Sequence, residues 1–346
     1  MPPYTHFQYI AYQVPTVVRD RRNGTAYVSG LDPGSECAQI QRVRLPEVQS
    51  NDARKRLKRL AAVVDMAATQ VQALGTNDST LKVFVAPEFY FRPVKVNDTY
   101  NHNTYPPTAA FEIFNALDSV FARADFADWL IVGGTVLWNT GTNSPLYRNT
   151  AVHVQGGKEN GLMIVEKRVA SGIDGVPVAM TPAMTNDLSI RQIHDEFDVR
   201  KQHFFHVDNV GIGLEVCLDH YNRTLVNIQG MRSMRSLFFF HDINLQVLTA
   251  GGMYIEPEAV AAEVGGYFLR NDGLPDERLL PDGQIELMKV TGRALSNRTL
   301  GIEAQLQRVA KLGYLPIQGN MQVPATGIDP QEFDQRLVFY PTQPLS

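Results

Sequence analysis

Leu81–Ala86 is a six-residue run, apolar apart from Lys82, set between the polar turn Gly75–Thr80 and Pro87. Val83, Phe84 and Val85 form its centre. A run of this length, rich in β-branched and aromatic residues, reads as a strand, and a strand apolar on both sides has to be covered on both sides. Leu130–Val136 repeats the pattern, interrupted by Gly133 and Gly134. Between the two, the spacing predicts a helix over about Thr108–Ala124 with Phe111, Phe114, Leu117, Val120 and Phe121 on its inner stripe. An earlier helix begins at a Ser50 or Asn51 cap, with Leu57, Leu60, Ala61, Val64, Ala68 and Val71 on one face. Lys55, Lys58, Arg59 and Gln70 are then left to solvent. Hairpins follow: Arg148–Val154 with Leu162–Lys167, and Phe204–Val207 with Val210–Val216. Strand, helix, strand and then hairpins predicts an α/β protein built on mixed sheets rather than a purely parallel one.

The remaining segments complete the frame. Phe7–Val18 reads as a first strand, followed by a long loop or hairpin to about Gln49 that holds Cys37. Ser171–Lys201 reads as a loop-rich excursion with a short helix near Leu188–Phe197. Beyond Cys217 a helix to about Met234 is expected, then strands at Leu237–Phe240, Leu245–Thr249 and Gly266–Arg270, with a helix near Pro257–Glu263 between the last two. No linker or repeat divides the chain, so residues 1–346 read as one domain with a C-terminal extension from about Gly313, expected to wrap the surface.

Of the 346 residues, 44% are hydrophobic and 20% charged, ample for a sizeable core. A formal net charge of −4 gives no reason to expect nucleic acid or an anionic membrane surface as partner. Two cysteines cannot make a disulfide framework, which points to a reducing compartment, the cytoplasm. The N-terminus has no basic segment followed by an apolar one, and no apolar run reaches membrane-spanning length.

Three strand ends carry chemically capable side chains. The run VGIGLEVCLDHYNR, Val210–Arg223, delivers Cys217 to the start of a polar turn, where unpaired N–H groups favour a thiolate. Read alone, Cys217 is better explained as a buried structural cysteine, since free Cys is among the most buried residue types. Glu88 follows Pro87 within APEFYF, a carboxylate among aromatic rings that is costly to desolvate unless it is paired or used. A salt-bridged strand end explains it too. Lys167 closes Leu162–Glu166, and a lysine snorkelling off a sheet edge is its ordinary reading. Together they supply what acyl transfer at an amide or nitrile carbon requires. A thiol attacks, a carboxylate takes and returns its proton, and an ammonium holds the developing oxyanion.

On these residues the chain resembles the nitrilase, or carbon–nitrogen hydrolase, superfamily. The match rests on APEF around Glu88, GGT at Gly133–Thr135, NTAVHV followed by VEKR around Lys167, and GLEVCLD around Cys217, in that order. The resemblance implies an α-β-β-α sandwich and a Glu–Lys–Cys triad carried onto Glu88, Lys167 and Cys217. The backbone N–H of Leu218 would share the oxyanion with Lys167. A second carboxylate, orienting the lysine, has Asp174 as its nearest candidate and Glu196 as a poorer one. No metal or organic cofactor is implied. The expected partner is a small-molecule amide substrate, and the chains are expected to pair as homodimers or larger homo-oligomers. Leu218 and Asp219 replace the Trp and Glu of true nitrilases, which favours amides over nitriles. Two other readings stand beside this one: a papain-like hydrolase with His220 or His241 as base, and a non-catalytic scaffold that keeps the sandwich.

Overall fold

The computed structural model describes residues 4–19, 27–33, 44–76, 79–94, 104–140, 146–175, 203–235, 242–275, 284–297, 299, 301–322 and 332–346. The strands, in chain order, are β1 (His6–Gln13), β2 (Val17–Arg19), β3 (Tyr27–Ser29), β4 (Thr80–Val85), β5 (Trp129–Asn139), β6 (Tyr147–Gln155), β7 (Leu162–Glu166) and β8 (Phe204–Val207). They continue with β9 (Val210–Val216), β10 (Leu245–Ala250), β11 (Tyr267–Asp272), β12 (Ile285–Leu295), β13 (Ile302–Arg308), β14 (Gly313–Gln322), β15 (Glu332–Phe339) and β16 (Gln343–Pro344). The helices are α1 (Asn51–Ala73), α2 (Pro107–Phe121), the single turn α3 (Leu218–Tyr221) and α4 (Thr224–Arg235).

Two mixed sheets form the body. The first runs β14-β15-β1-β4-β5-β6-β7, with β16 also on β1; the second runs β13-β12-β11-β10-β9-β8. Each has a parallel centre, β1–β4–β5 or β9–β10–β11, flanked by antiparallel strands. β2 and β3 make a separate small hairpin.

Alternation along the strands decides what each face meets. Phe7, Tyr9 and Ala11 of β1 and Leu81, Val83 and Val85 of β4 pack with Leu214, Val216, Val247 and Leu269 of the second sheet. Their alternates Ile10, Tyr12 and Phe84 pack under α1 and α2 through Leu57, Leu60, Val64, Ile113 and Leu117. On the far side, Gly213 leaves the space that Leu225 of α4 and Ile243 fill. The order of layers is therefore helix, sheet, sheet, helix.

Several expectations change. Arg59 is not on the solvent face of α1: it is buried, and its Nη1 donates to the carbonyl of Gln318 at 3.0 Å. Phe111 is 55% exposed, lying edge-on to Phe114 and Trp138 rather than inside. The tail does not wrap the surface. From Gly313 it supplies β14 and β15, and Leu337, Val338 and Phe339 are buried beside β1. Near Pro257–Glu263 there is only a 3-10 turn, Pro257–Ala259. Cys37, Glu196, His241 and the expected elements at Leu188–Phe197 and Leu237–Phe240 lie outside the described residues. Among the described residues, no helix is long and apolar enough to cross a membrane.

Candidate active site

The Glu88 loop is built by the strand next to it. β5 bulges between Val132 and Thr135, and Gly134 there has φ +81°, with a Cβ position that would run into the Pro87 carbonyl. Only glycine meets both conditions. The next residue, Thr135, accepts the N–H of Phe89 on Oγ1 at 2.8 Å, and Thr16 Oγ1 donates to the Glu88 carbonyl at 2.5 Å. From the helix side, Arg56 Nη1 donates to the Tyr90 carbonyl at 3.0 Å while Tyr90 Oη donates back to the Arg56 carbonyl at 3.0 Å. These ties hold Phe89 at φ 62°, an uncommon conformation for a bulky residue.

Glu88, Lys167 and Cys217 converge where β4, β7 and β9 end. Lys167 Nζ donates to Glu88 Oε1 at 2.9 Å, to Asp174 Oδ1 at 2.8 Å and to Ser171 Oγ at 3.3 Å. Asp174 ends the 3-10 turn Gly172–Asp174, and its Oδ2 accepts the backbone N–H of Ser171 at 2.5 Å, a capping box that fixes the carboxylate in place. Asn149 joins the group from β6, its Nδ2 donating to Glu88 Oε1 at 2.8 Å and to Asp174 Oδ1 at 3.1 Å. Cys217 sits at φ 46° between β9 and α3, its N–H bonded to the Thr249 carbonyl at 3.0 Å. Thr249 Oγ1 donates to the Ala86 carbonyl at 3.0 Å, which clips the second sheet to the first two residues before Glu88.

Burial governs the ionisation of Glu88 and Cys217, and the neighbouring carboxylates govern that of Lys167. Burial pushes the Glu88 carboxyl up to about 7, although the Lys167 ammonium pulls the other way. The Lys167 ammonium is held well above its ordinary value because the Asp174 and Glu88 carboxylates outweigh its desolvation. The Cys217 thiol is also pushed up, by burial first and by Glu88 second, with the Lys167 charge and the N–H of Gly251 pulling back in part. This corrects the expected thiolate. α3 is one turn long, and its few N–H groups do not offset a buried sulfur beside a carboxylate. The resting site therefore holds a thiol, and a base has to take its proton.

Two residues in the expected motifs have different work. Asp219 is fully buried and accepts the N–H groups of Arg168, at 2.9 and 3.1 Å, and Val169, at 2.8 Å. It ties the turn after Cys217 to the segment after Lys167, and burial pushes its carboxyl up to about 8 against the pull of those N–H groups. His220 Nδ1 lies 2.8 Å from Glu215 Oε2, and its Nε2 accepts the N–H of Glu256 at 3.1 Å. Both ring nitrogens are engaged behind the thiol, which leaves no base for the papain-like reading at this position. Among the described residues, no group of three or more His, Cys, Asp or Glu is placed to hold a metal ion.

The chain is similar in architecture to solved structures. An amidase from Nesterenkonia sp. is 11% identical with TM-score 0.42, over 97% of this chain and 91% of that one. A variant of the Nesterenkonia amidase "from the nitrilase superfamily" gives 11% and 0.41, over 97% and 92%. Glutamine-dependent NAD+ synthetase from Acinetobacter baumannii gives 10% and 0.41, over 88% of this chain and 45% of that one. No protein-family model and no curated protein matches the sequence. The fold is an α/β sandwich of two mixed sheets between helices. That statement concerns layers and strand order, and the chemistry has to come from the side chains described above.

The fold brings together Glu88, Lys167 and Cys217, beside whose sulfur half-buried Leu218 opens the turn, with Asp174, the candidate that the resemblance supplied; reading the strand ends singled out only the first three. It missed Asn149 and Gly251. Asn149 stood inside the quoted NTAVHV run, and a polar residue opening a buried strand was the available signal. Gly251 stood in a Gly-Gly pair just past β10. A Cβ there would lie 3.1 Å from Glu88 Oε2 and 3.1 Å from the Phe89 ring. Neither neighbour can yield, since Glu88 is held by Lys167 and Asn149, and Phe89 packs in a buried cluster with Val17, Leu137, Tyr147 and Leu274. Gly251→Ala is expected to lower kcat by up to about tenfold with a small loss of Tm, because the contact asks for a shift of a few tenths of an ångström where a misplacement of about 1 Å costs about a hundredfold. Unchanged kcat in the folded variant would show that Glu88 has room to move.

Proposed function

We propose that the chain is a cysteine-dependent hydrolase of a non-peptide carbon–nitrogen bond, an amidase of the carbon–nitrogen hydrolase superfamily acting through a thioester. The observation that carries the reading is the placement of one buried ammonium, Lys167, between two buried carboxylates, with the Cys217 thiol beside the first. A purely structural ion pair needs no second carboxylate and no thiol.

In this mechanism the Cys217 Sγ–H proton passes to Glu88 as sulfur bonds to the amide carbon, and the carbonyl π electrons move onto oxygen. Lys167 Nζ and the N–H of Leu218 hold that oxyanion. The ammonium already makes three contacts, and the longest, 3.3 Å to Ser171, is the one it can give up. Glu88 then returns the proton to nitrogen as the C–N bond breaks. Water, deprotonated by the same carboxylate, attacks the thioester, the C–S bond breaks, and the sulfur is reprotonated. Asp174 keeps Lys167 charged throughout. A free thiol in this role suits a reducing compartment such as the cytoplasm.

The competent form has Glu88 ionised and Cys217 protonated. Because burial pushes Glu88 up to about 7, kcat/KM is expected to rise with pH through that region and to fall about tenfold for each pH unit well below it. Ammonia release from matched amide and nitrile pairs of several chain lengths, followed from pH 5 to 9, tests both parts. Amides are expected to react faster than their nitriles with an acid limb near 7. Faster nitrile hydrolysis across the series would overturn the amidase assignment.

A further inference from the structure

We propose that Asn149 is a positioning residue that selects Glu88 Oε2 as the proton-accepting oxygen. The inference rests on the hydrolase reading above and concerns how its base is prepared. Glu88 Oε1 accepts two hydrogen bonds, from Lys167 Nζ and Asn149 Nδ2, so both of its lone-pair directions are occupied. Oε2 makes no hydrogen bond to any described residue, though it is fully buried. It lies on the Gly251 side of the carboxyl, the residue whose N–H also reaches the Cys217 sulfur. The proton therefore has one open oxygen to go to, and that oxygen is on the side of the thiol.

Asn149 suits this role for three reasons. Its amide is the one neutral donor in contact with both carboxylates, so it adds a second bridge between Glu88 and Asp174 without adding a charge that would have to be balanced. Two acceptors on one side settle which way the amide points, with NH2 toward the carboxylates. Its Oδ1 makes no hydrogen bond to a described residue, a cost for a buried acceptor that packing alone does not explain. Asn149 is also bonded through its carbonyl to the N–H of Lys167 at 2.9 Å, which sets the two shared donors at a fixed separation. Removing its N–H donor takes away a bond made to the ionised form of Glu88, so the carboxyl should titrate at higher pH.

The test measures alkylation of Cys217 by iodoacetamide across pH 5 to 9, mapped by mass spectrometry, beside kcat/KM on the amide series. The alkylation arm needs no natural substrate. In Asn149→Ala the acid limb of both profiles is expected to move up by about one pH unit, a further tenfold loss at pH 6 beyond any pH-independent loss. In Asn149→Asp, which keeps the shape but puts a third carboxyl in place of the donor, it should move further. A limb that stays at the wild-type position in either folded variant would overturn the proposal, whatever the activity. Collapse of the fold in both variants would mark Asn149 as structural and overturn it too. Glu88→Gln is run in parallel: retained turnover there defeats the hydrolase mechanism itself, whereas an unmoved limb in the Asn149 variants defeats only this inference.

Discussion

Cys217→Ala is expected to abolish turnover, with a loss on the order of 10⁴- to 10⁶-fold, the range seen when a covalent nucleophile is removed and only binding and oxyanion contacts remain. The fold should survive. Only the sulfur is deleted, the backbone at φ 46° is anchored by the Thr249 carbonyl, and Ala is tolerated there no worse than Cys. Ammonia release and Tm measured on the same preparation check both statements. The variant also separates two classes of function. A scaffold that merely keeps the sandwich would retain its partner binding and have no turnover to lose, whereas an enzyme loses the reaction and keeps substrate binding. Residual turnover within tenfold of wild type in a folded protein would remove Cys217 from the chemistry.

Lys167→Met should be less damaging to rate than Cys217→Ala and more damaging to the fold. Rate falls by about a hundredfold or more, the usual cost of one oxyanion donor. Stability falls because Glu88 and Asp174, each almost wholly buried, lose their shared counter-charge, and breaking a buried pair from one side costs about 3–5 kcal/mol. The sign of the pH dependence follows from the same change. Without the ammonium, the Glu88 carboxyl, already raised by burial, titrates still further above its unfolded value. A stabilising contribution of that kind is present at low pH and lost as pH rises through the folded value. The Tm deficit of the variant should therefore be larger at pH 8 than at pH 5. Equal deficits at both would mean that the carboxylates are relieved in some other way and that Lys167 is not their counter-ion.

How much of this was legible in the chain differs between elements and site. The runs Leu81–Ala86, Leu130–Val136 and Val210–Val216 announced themselves as buried strands, and the structure places β4, β5 and β9 there. The alternation that separates Phe7, Tyr9 and Ala11 from Ile10 and Tyr12 follows from the pleat, a property of neighbouring residues alone. Glu88, Lys167 and Cys217 were visible as polar residues closing such runs, since a charged group at the end of a buried strand calls for an explanation wherever the fold puts it.

What those residues meet was decided elsewhere in the chain. Asn149 reaches Glu88 from 61 positions away, and Asp219 reaches Arg168 across 51. The Cys217 thiol is pushed up because burial and the carboxylates brought by the fold outweigh the pull of the Lys167 charge and the Gly251 N–H. Arg59 looked like surface until the carbonyl of Gln318 was brought to it, and the Pro- and Gln-rich tail looked loose until β1 offered it an edge. Hydrophobic periodicity acts between residues two to four apart, so it was enough to mark β4, β5 and β9, most of the inner faces of α1 and α2, and the polar residues that close the buried runs. Which hydrogen bonds, charges and dry surroundings each of them has follows from the packed fold, because desolvation and electrostatic coupling depend on neighbours in space, whatever their separation along the chain.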